Sequence, residues 1–136
     1  MTFLVDANVL SEPTRPTPDP RVLAWLRAQE LNLVVNPMSL GEIEYGILLL
    51  PTGRRRKRLE RWFAAGVERL TVLDFDRATG SRRARLMADL RRKGRSIPIK
   101  ESLIAATSLV HGLTVATRYT QDFVPAGVRI FNPFTS

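Results

Sequence analysis

Five short β-prone runs, Thr2 to Val5, Leu31 to Val35, Thr71 to Leu73, Leu113 to Thr117 and Val128 to Phe131, alternate along the chain with stretches of helical character. Strands in alternation with helices, and apolar runs too continuous for a half-exposed sheet, predict an α/β sandwich: a mainly parallel sheet with helices on both faces. The punctuation between the runs agrees. Thr2 to Val5 breaks at the polar turn Asp6-Ala7-Asn8. Asp19-Pro20 offers an N-cap followed by proline at the first helical position, for a helix to about Glu30. Asn36-Pro37 closes the second run, and Ser39-Leu40-Gly41-Glu42 has the spacing of a capping box for a helix to Leu50. Beyond Arg54, the residues Leu59, Trp62, Phe63, Val67 and Leu70 keep an apolar face at near-helical spacing. Asp74 or Asp76 caps a helix that ends near Lys93 at Gly94, and a further helix spans Ile99 to His111 before Gly112. No repeat or linker intervenes, and 44% apolar residues suffice for one core, so residues 1–136 are expected to form a single domain.

In an open sheet built with right-handed crossovers, the functional crevice lies at the carboxyl ends of the strands. Asp6 ends the first strand, and Glu42 is expected in the first turn of the helix after the second. The helix from Ile99 is joined through Gly112 to the fourth strand, so it runs antiparallel to that strand and begins at the same edge, with Glu101 in its first turn. Asp122 follows the fourth strand in the loop after Thr117-Arg118. Four acids far apart in sequence are therefore expected at one edge.

Convergent carboxylates repel one another and raise their own pKa values unless a cation neutralises them. Magnesium or manganese, which take carboxylate and water ligands, would answer that need and allow phosphodiester hydrolysis without Ser, Cys or His. Each acid alone also has a plainer reading. Glu42 is the capping-box partner of Ser39, Glu101 offsets a helix N-terminus, and Asp6 and Asp122 are turn formers. Glu12, Asp19, Glu44, Asp74, Asp76 and Asp89 fall in loops, caps or outward helix positions.

Composition narrows the chemistry further. The absence of cysteine excludes disulfides, a thiolate nucleophile and cysteine-ligated zinc. The one histidine, His111, stands at a helix C-terminus on the opposite edge from the acids, where it serves the helix dipole. No Gly-x-Gly-x-x-Gly or Walker-type loop is present. Twenty-one Lys and Arg against thirteen Asp and Glu give a net charge of +8, which favours a polyanionic partner through counterion release. That charge is clustered in Arg54-Arg55-Arg56-Lys57-Arg58, in Arg82-Arg83 with Arg85, and in Arg91-Arg92-Lys93 with Arg95, each of which also reads as a solvated helix face. No apolar run approaches the roughly 18 residues of a membrane helix, and no secretory pattern opens the chain, so a cytoplasmic location without membrane contact is expected.

At these residues the sequence resembles the PIN-domain family and, within it, the VapC and FitB-like toxins. Phe3-Leu4-Val5-Asp6-Ala7-Asn8-Val9-Leu10-Ser11-Glu12 resembles the opening strand with its Asp-x-Asn motif, which implies a metal-binding role for Asp6 and a supporting one for Asn8. Ser39-Leu40-Gly41-Glu42-Ile43-Glu44-Tyr45-Gly46 resembles the second motif, with Glu42 as its acid. Leu103-Ile104-Ala105-Ala106-Thr107 and Leu113-Thr114-Val115-Ala116-Thr117-Arg118 resemble the third and fourth, with Glu101 as the third acid and Thr117 in support, and Val128 to Phe134 resembles the closing segment. The resemblance implies a three-layer fold with strand order 3-2-1-4-5. It also implies a magnesium-dependent endoribonuclease acting as a toxin, homodimerisation, and inhibition by an antitoxin whose tail enters the active site. The apolar helix end at Leu48, Leu49 and Leu50 suits a dimer.

Two positions depart from that pattern. Glu101 stands where the family usually has Asp, which moves the carboxylate by about one C–C bond, roughly 1.5 Å. Tyr119 stands where the subgroup often has Asn or Asp, leaving Asp122 as the available acid. A non-catalytic RNA- or protein-binding module of the same fold is therefore a competing expectation. A structure-specific DNA nuclease of similar fold would need added elements for which 136 residues leave little room, and a receiver domain would need an acidic pair at the end of the first strand.

Overall fold

The structure, a computed structural model, describes residues 1–135. In chain order its elements are β1 (Phe3–Val5), α1 (Ala7–Leu10), α2 (Pro20–Ala28), β2 (Leu33–Val35), α3 (Pro37–Leu48), α4 (Arg54–Ala65), β3 (Thr71–Val72), α5 (Arg77–Arg92), α6 (Ile99–His111), β4 (Thr114–Ala116), α7 (Thr120–Phe123) and β5 (Arg129–Phe131). The strands form one sheet in the order β3-β2-β1-β4-β5. Every pairing is parallel; Phe3 lies opposite both Leu33 and Thr114, and Val5 opposite Ala116. The expected fold class and strand order are observed.

Side-chain alternation along β1 explains the three layers. Phe3 and Val5 point to one face and join Val22 of α2, Ile43 and Ile47 of α3, and Leu59 and Phe63 of α4. Leu4 points to the other, among Leu86 and Leu90 of α5, Ile104 of α6 and Phe123 of α7. Because both faces are covered, the central strands are apolar at consecutive positions. Burying each such side chain contributes roughly 1.5–3 kcal/mol, so the central strands are the stable platform on which the carboxyl edge is built.

Several local expectations are corrected. The Asp6-Ala7-Asn8 turn is the start of α1, with Asp6 as its N-cap. The second strand begins at Leu33, because Glu30–Asn32 is a 3-10 turn that leaves Leu31 exposed. Asn36, not Ser39, caps α3: its side chain accepts from the Ser39 amide at 3.0 Å, and Pro37 fills the first helical position. An asparagine followed by proline is the stronger start signal. Glu42 consequently lies in the second turn and is no capping-box partner. Of the two candidate caps for α5, Asp76 is used. Asp122 lies in the short α7 and not in a loop. Gly112, at φ 64° and ψ 40°, supplies the left-handed C-cap that turns α6 into β4, as its position predicts.

Candidate active site

The carboxyl edge is assembled from the ends of β1 and β4 and the starts of α3 and α6. Asp6 leaves β1 at the centre of the sheet and is 1% exposed. Its Oδ1 accepts from the Ala7 amide at 2.9 Å, and its Oδ2 accepts from the Thr117 hydroxyl at 2.9 Å. The same Thr117 oxygen accepts from Asn8 Nδ2 at 3.3 Å and from the Tyr119 amide at 3.1 Å, while Asn8 Oδ1 accepts from the Arg118 amide at 2.8 Å. Asn8 and Thr117 therefore lock the end of β1 to the end of β4 and hold the Asp6 carboxylate in one orientation. Burial raises the Asp6 pKa above the ordinary value of 3.8; the Thr117 hydroxyl, the Lys100 charge and the Ala7 amide offset this only in part, and Glu42 adds to it.

Helix α6 begins at the same edge without a side-chain cap, and its first turn carries Lys100 and the buried Glu101. Its start is fixed from α5, since Arg83 Nε donates to Ser102 Oγ at 2.8 Å and that hydroxyl donates to the Ile99 carbonyl at 2.6 Å. From α3, the exposed Glu42 meets Lys100, whose Nζ donates to Glu42 Oε1 at 3.0 Å and Oε2 at 2.9 Å. The same nitrogen lies 3.8 Å from Glu101 Oε1. Burial alone would lower the Lys100 pKa, but the hydrogen bond to Glu42 and the charges of Asp6, Glu42 and Glu101 outweigh it and raise the value. The structure thus brings Glu42 and Glu101 to one ammonium group, whose charge also acts on the Asp6 carboxylate.

Sequence reasoning missed Lys100. The available signal was a lysine in the first turn of a helix, beside an acid, where the dipole disfavours a cation. Asp122, in the first turn of α7, is exposed and makes no side-chain hydrogen bond or ion pair among the described residues. Asp19 caps α2 as expected, whereas Glu12, expected in a loop, a cap or an outward position, is instead buried in a 3-10 turn, where it accepts from the Asp19 amide at 2.8 Å.

A cleft of about 330 Å³ opens over this edge and is lined by Asn8, Glu42, Arg55, Trp62, Lys100 and Tyr119, among others. Asp6 and Glu101, chain neighbours of lining residues, are buried and are not part of the lining. Arg55 brings the basic α4 to its rim. As the side chains stand, no group of three His, Cys, Asp or Glu among the described residues is placed to hold a metal ion. The donor chemistry nevertheless suits a hard cation. The oxygens are all carboxylate, they already gather around a positive charge, and magnesium characteristically keeps several waters and takes only one or two carboxylates from a protein. Among the described residues no helix is long and apolar enough to cross a membrane.

A parallel α/β sandwich with buried acids at the carboxyl edge defines the class, and the sequence pattern of the PIN domain matches residues 3–123. The chain belongs to the PIN-domain family. It is 38% identical over 137 residues to the plasmid stability protein StbB of Pseudomonas syringae pv. tomato, covering 97% of this chain and 98% of that one. It is 35% identical to the toxin FitB of Neisseria gonorrhoeae, with 97% and 98% covered, and 37% identical to the VapC ribonuclease Y4jK of Sinorhizobium fredii, with 97% of each covered. Among solved structures it is similar to FitAcB from Neisseria gonorrhoeae, with a TM-score of 0.92 and 33% identity over 99% of this chain and 100% of that chain.

Proposed function

We propose that this chain is a magnesium-dependent endoribonuclease and the toxin of a type II toxin–antitoxin pair, acting in the cytoplasm. The observation that carries the reading is Asp6. A carboxylate buried at the central strand end, aimed by Thr117 and Asn8 and raised in pKa, has no use for its charge within the apolar sheet. Relatives named as a toxin and as a ribonuclease, each matched over nearly its full length, support the same reading.

Asp6 and Glu101 would hold the ion directly, with Glu42 joining them and Asp122 as an outer candidate. Manganese would serve in place of magnesium. When bound, the divalent ion supplies Lewis-acid chemistry, polarising a phosphoryl oxygen and making water a stronger nucleophile at neutral pH. The chain's own part is to orient and to attract. Thr117 fixes the Asp6 oxygens, Asn8 fixes Thr117, and Arg55 at the rim draws in the RNA backbone. Single-stranded RNA and DNA oligonucleotides compared with and without magnesium provide the test. RNA cleavage that needs the ion and disappears in Asp6→Asn is the expected result.

A second reading, a PIN-fold binding module with impaired chemistry, is favoured by Tyr119 at the rim and by the lack of a ready three-acid group. RNA that binds without being cut under any divalent ion would select it. We further infer a homodimer through the exposed Tyr45 and Leu48 of α3 and Leu49 at its C-cap, and a cognate antitoxin as partner. Sedimentation at micromolar concentration tests the former, and co-purification with the product of the neighbouring gene tests the latter.

A further inference from the structure

Lys100 is placed against its local interests. It occupies the second position of α6, where the helix dipole disfavours a cation, and no side chain caps that terminus. Its side chain is 28% exposed, less than is usual for an ammonium. What offsets these costs is chiefly tertiary: both oxygens of Glu42, 58 residues away in sequence, and the charge of Asp6, to which the neighbouring Glu101 at 3.8 Å adds.

We propose that Lys100 is the resident counter-charge of the crevice: it holds Glu42 while no divalent ion is bound and is displaced when one enters. The inference rests on the metal-dependent reading above and adds a competitor for the ion. Lone pairs engaged by N–H donors at 2.9 and 3.0 Å are not free for a metal or for the water around it. Three carboxylates against one ammonium leave the cluster with a formal surplus of two negative charges, so a divalent ion is still attracted. Lysine suits an exchangeable role better than arginine, because its ammonium is a compact point charge on a flexible four-carbon stem, with no planar fork to hold the carboxylate. Lys100 lines the same cleft as Asn8 and Tyr119, so an entering phosphodiester would meet it there. Arg55 lines the same cleft, whereas the ion pairs of Glu42 and Glu101 are with Lys100, and so it separates a general charge effect from displacement.

The test is direct manganese binding by the full chain, followed by electron paramagnetic resonance of the free ion, with no substrate present. Lys100→Met keeps most of the stem and removes the charge, and it should bind manganese about 10-fold more tightly than the parent. Arg55→Met should change affinity less than about twofold. In a Glu42→Gln background the gain from Lys100→Met should shrink, which isolates the pair. Lys100→Gln serves as a second variant if the methionine protein does not fold. Unchanged or weaker binding in the Lys100 variants, or an equal gain in Arg55→Met, overturns the proposal while the metal site stands. Absence of any manganese binding that Asp6→Asn abolishes overturns the metal reading and this proposal together.

Discussion

Of the three aspartates that cap helices in this protein, Asp6, Asp19 and Asp76, the first and the last show opposite energetics. Asp76 caps the sixteen-residue α5, accepting from the Thr79 amide and hydroxyl at 2.9 Å each, and those bonds hold its carboxyl below the usual 3.8. Asp6 caps the four-residue α1 with one bond to the Ala7 amide, yet burial drives its pKa the other way. Local geometry is similar and the charge has opposite consequences. A helix of four residues contributes little by itself, and asparagine caps about as well as aspartate. Capping therefore does not account for a carboxylate buried at the centre of the sheet, whereas the proposed divalent ion would.

The sharpest way to break that comparison is to remove the Asp6 charge and keep its shape. Asp6→Asn retains an acceptor for the Ala7 amide and should fold. Manganese binding and RNA cleavage should each fall by about 100-fold or more, since the most buried donor loses its charge and misplacement by about 1 Å already costs on the order of 100-fold in rate. Unaltered metal titration in this variant would return Asp6 to the status of a cap.

Glu101 comes next in expected size. Its carboxylate is buried beside Lys100, on a helix start held by Arg83 and Ser102. Glu101→Gln should weaken metal binding and turnover by roughly 10-fold, and Glu101→Asp should lower the magnesium requirement if the added methylene loosens the site. Cleavage by Glu101→Gln equal to the parent at limiting magnesium would reduce Glu101 to a helix-end acid.

The other side of the comparison is a matter of stability. Asp76→Ala should lower the melting temperature by a few degrees and leave manganese binding unchanged. The two aspartates also carry opposite pH signatures in metal-free protein. The stability that Asp76 contributes is present above pH 3.8 and is lost as pH falls through its depressed folded value. Asp6, with a raised folded value, has its contribution in full below pH 3.8 and loses it as pH rises through that value. Relative to Asp6→Asn, the parent should therefore lose stability over that rise; melting curves in buffers from pH 3 upward read the difference.

What was legible in the sequence followed from chain continuity. Asp6 had to lie at a strand end because the apolar run stops there, and Glu101 had to share its edge because Gly112 turns α6 directly into β4. What was not legible depended on competition or on tertiary approach. Asn36 and Ser39 both offer cap chemistry three residues apart, and the proline beside Asn36 decides between them. The pairing of Lys100 with Glu42 joins two helices distant in sequence, and reading lysines and arginines as surface runs gave an isolated one no role.

Asp122 carries the smallest expected effect and the finest test of the site's boundary. Its position after β4 leads to the expectation that it shares the edge of the other acids; it lies exposed in α7, where it makes no side-chain hydrogen bond or ion pair among the described residues. The residue that does reach the cleft from this segment is Tyr119, the N-cap of α7. A carboxylate that remains in water keeps its hydration and interacts weakly with an ion bound near Asp6, because screening by high-dielectric solvent reduces such terms. Asp122→Asn should therefore change manganese affinity by less than about threefold and the melting temperature by at most a degree or two. If the loss instead approaches that of Asp6→Asn, α7 must turn inward when the ion binds, and Asp122 would be a ligand recruited by that movement.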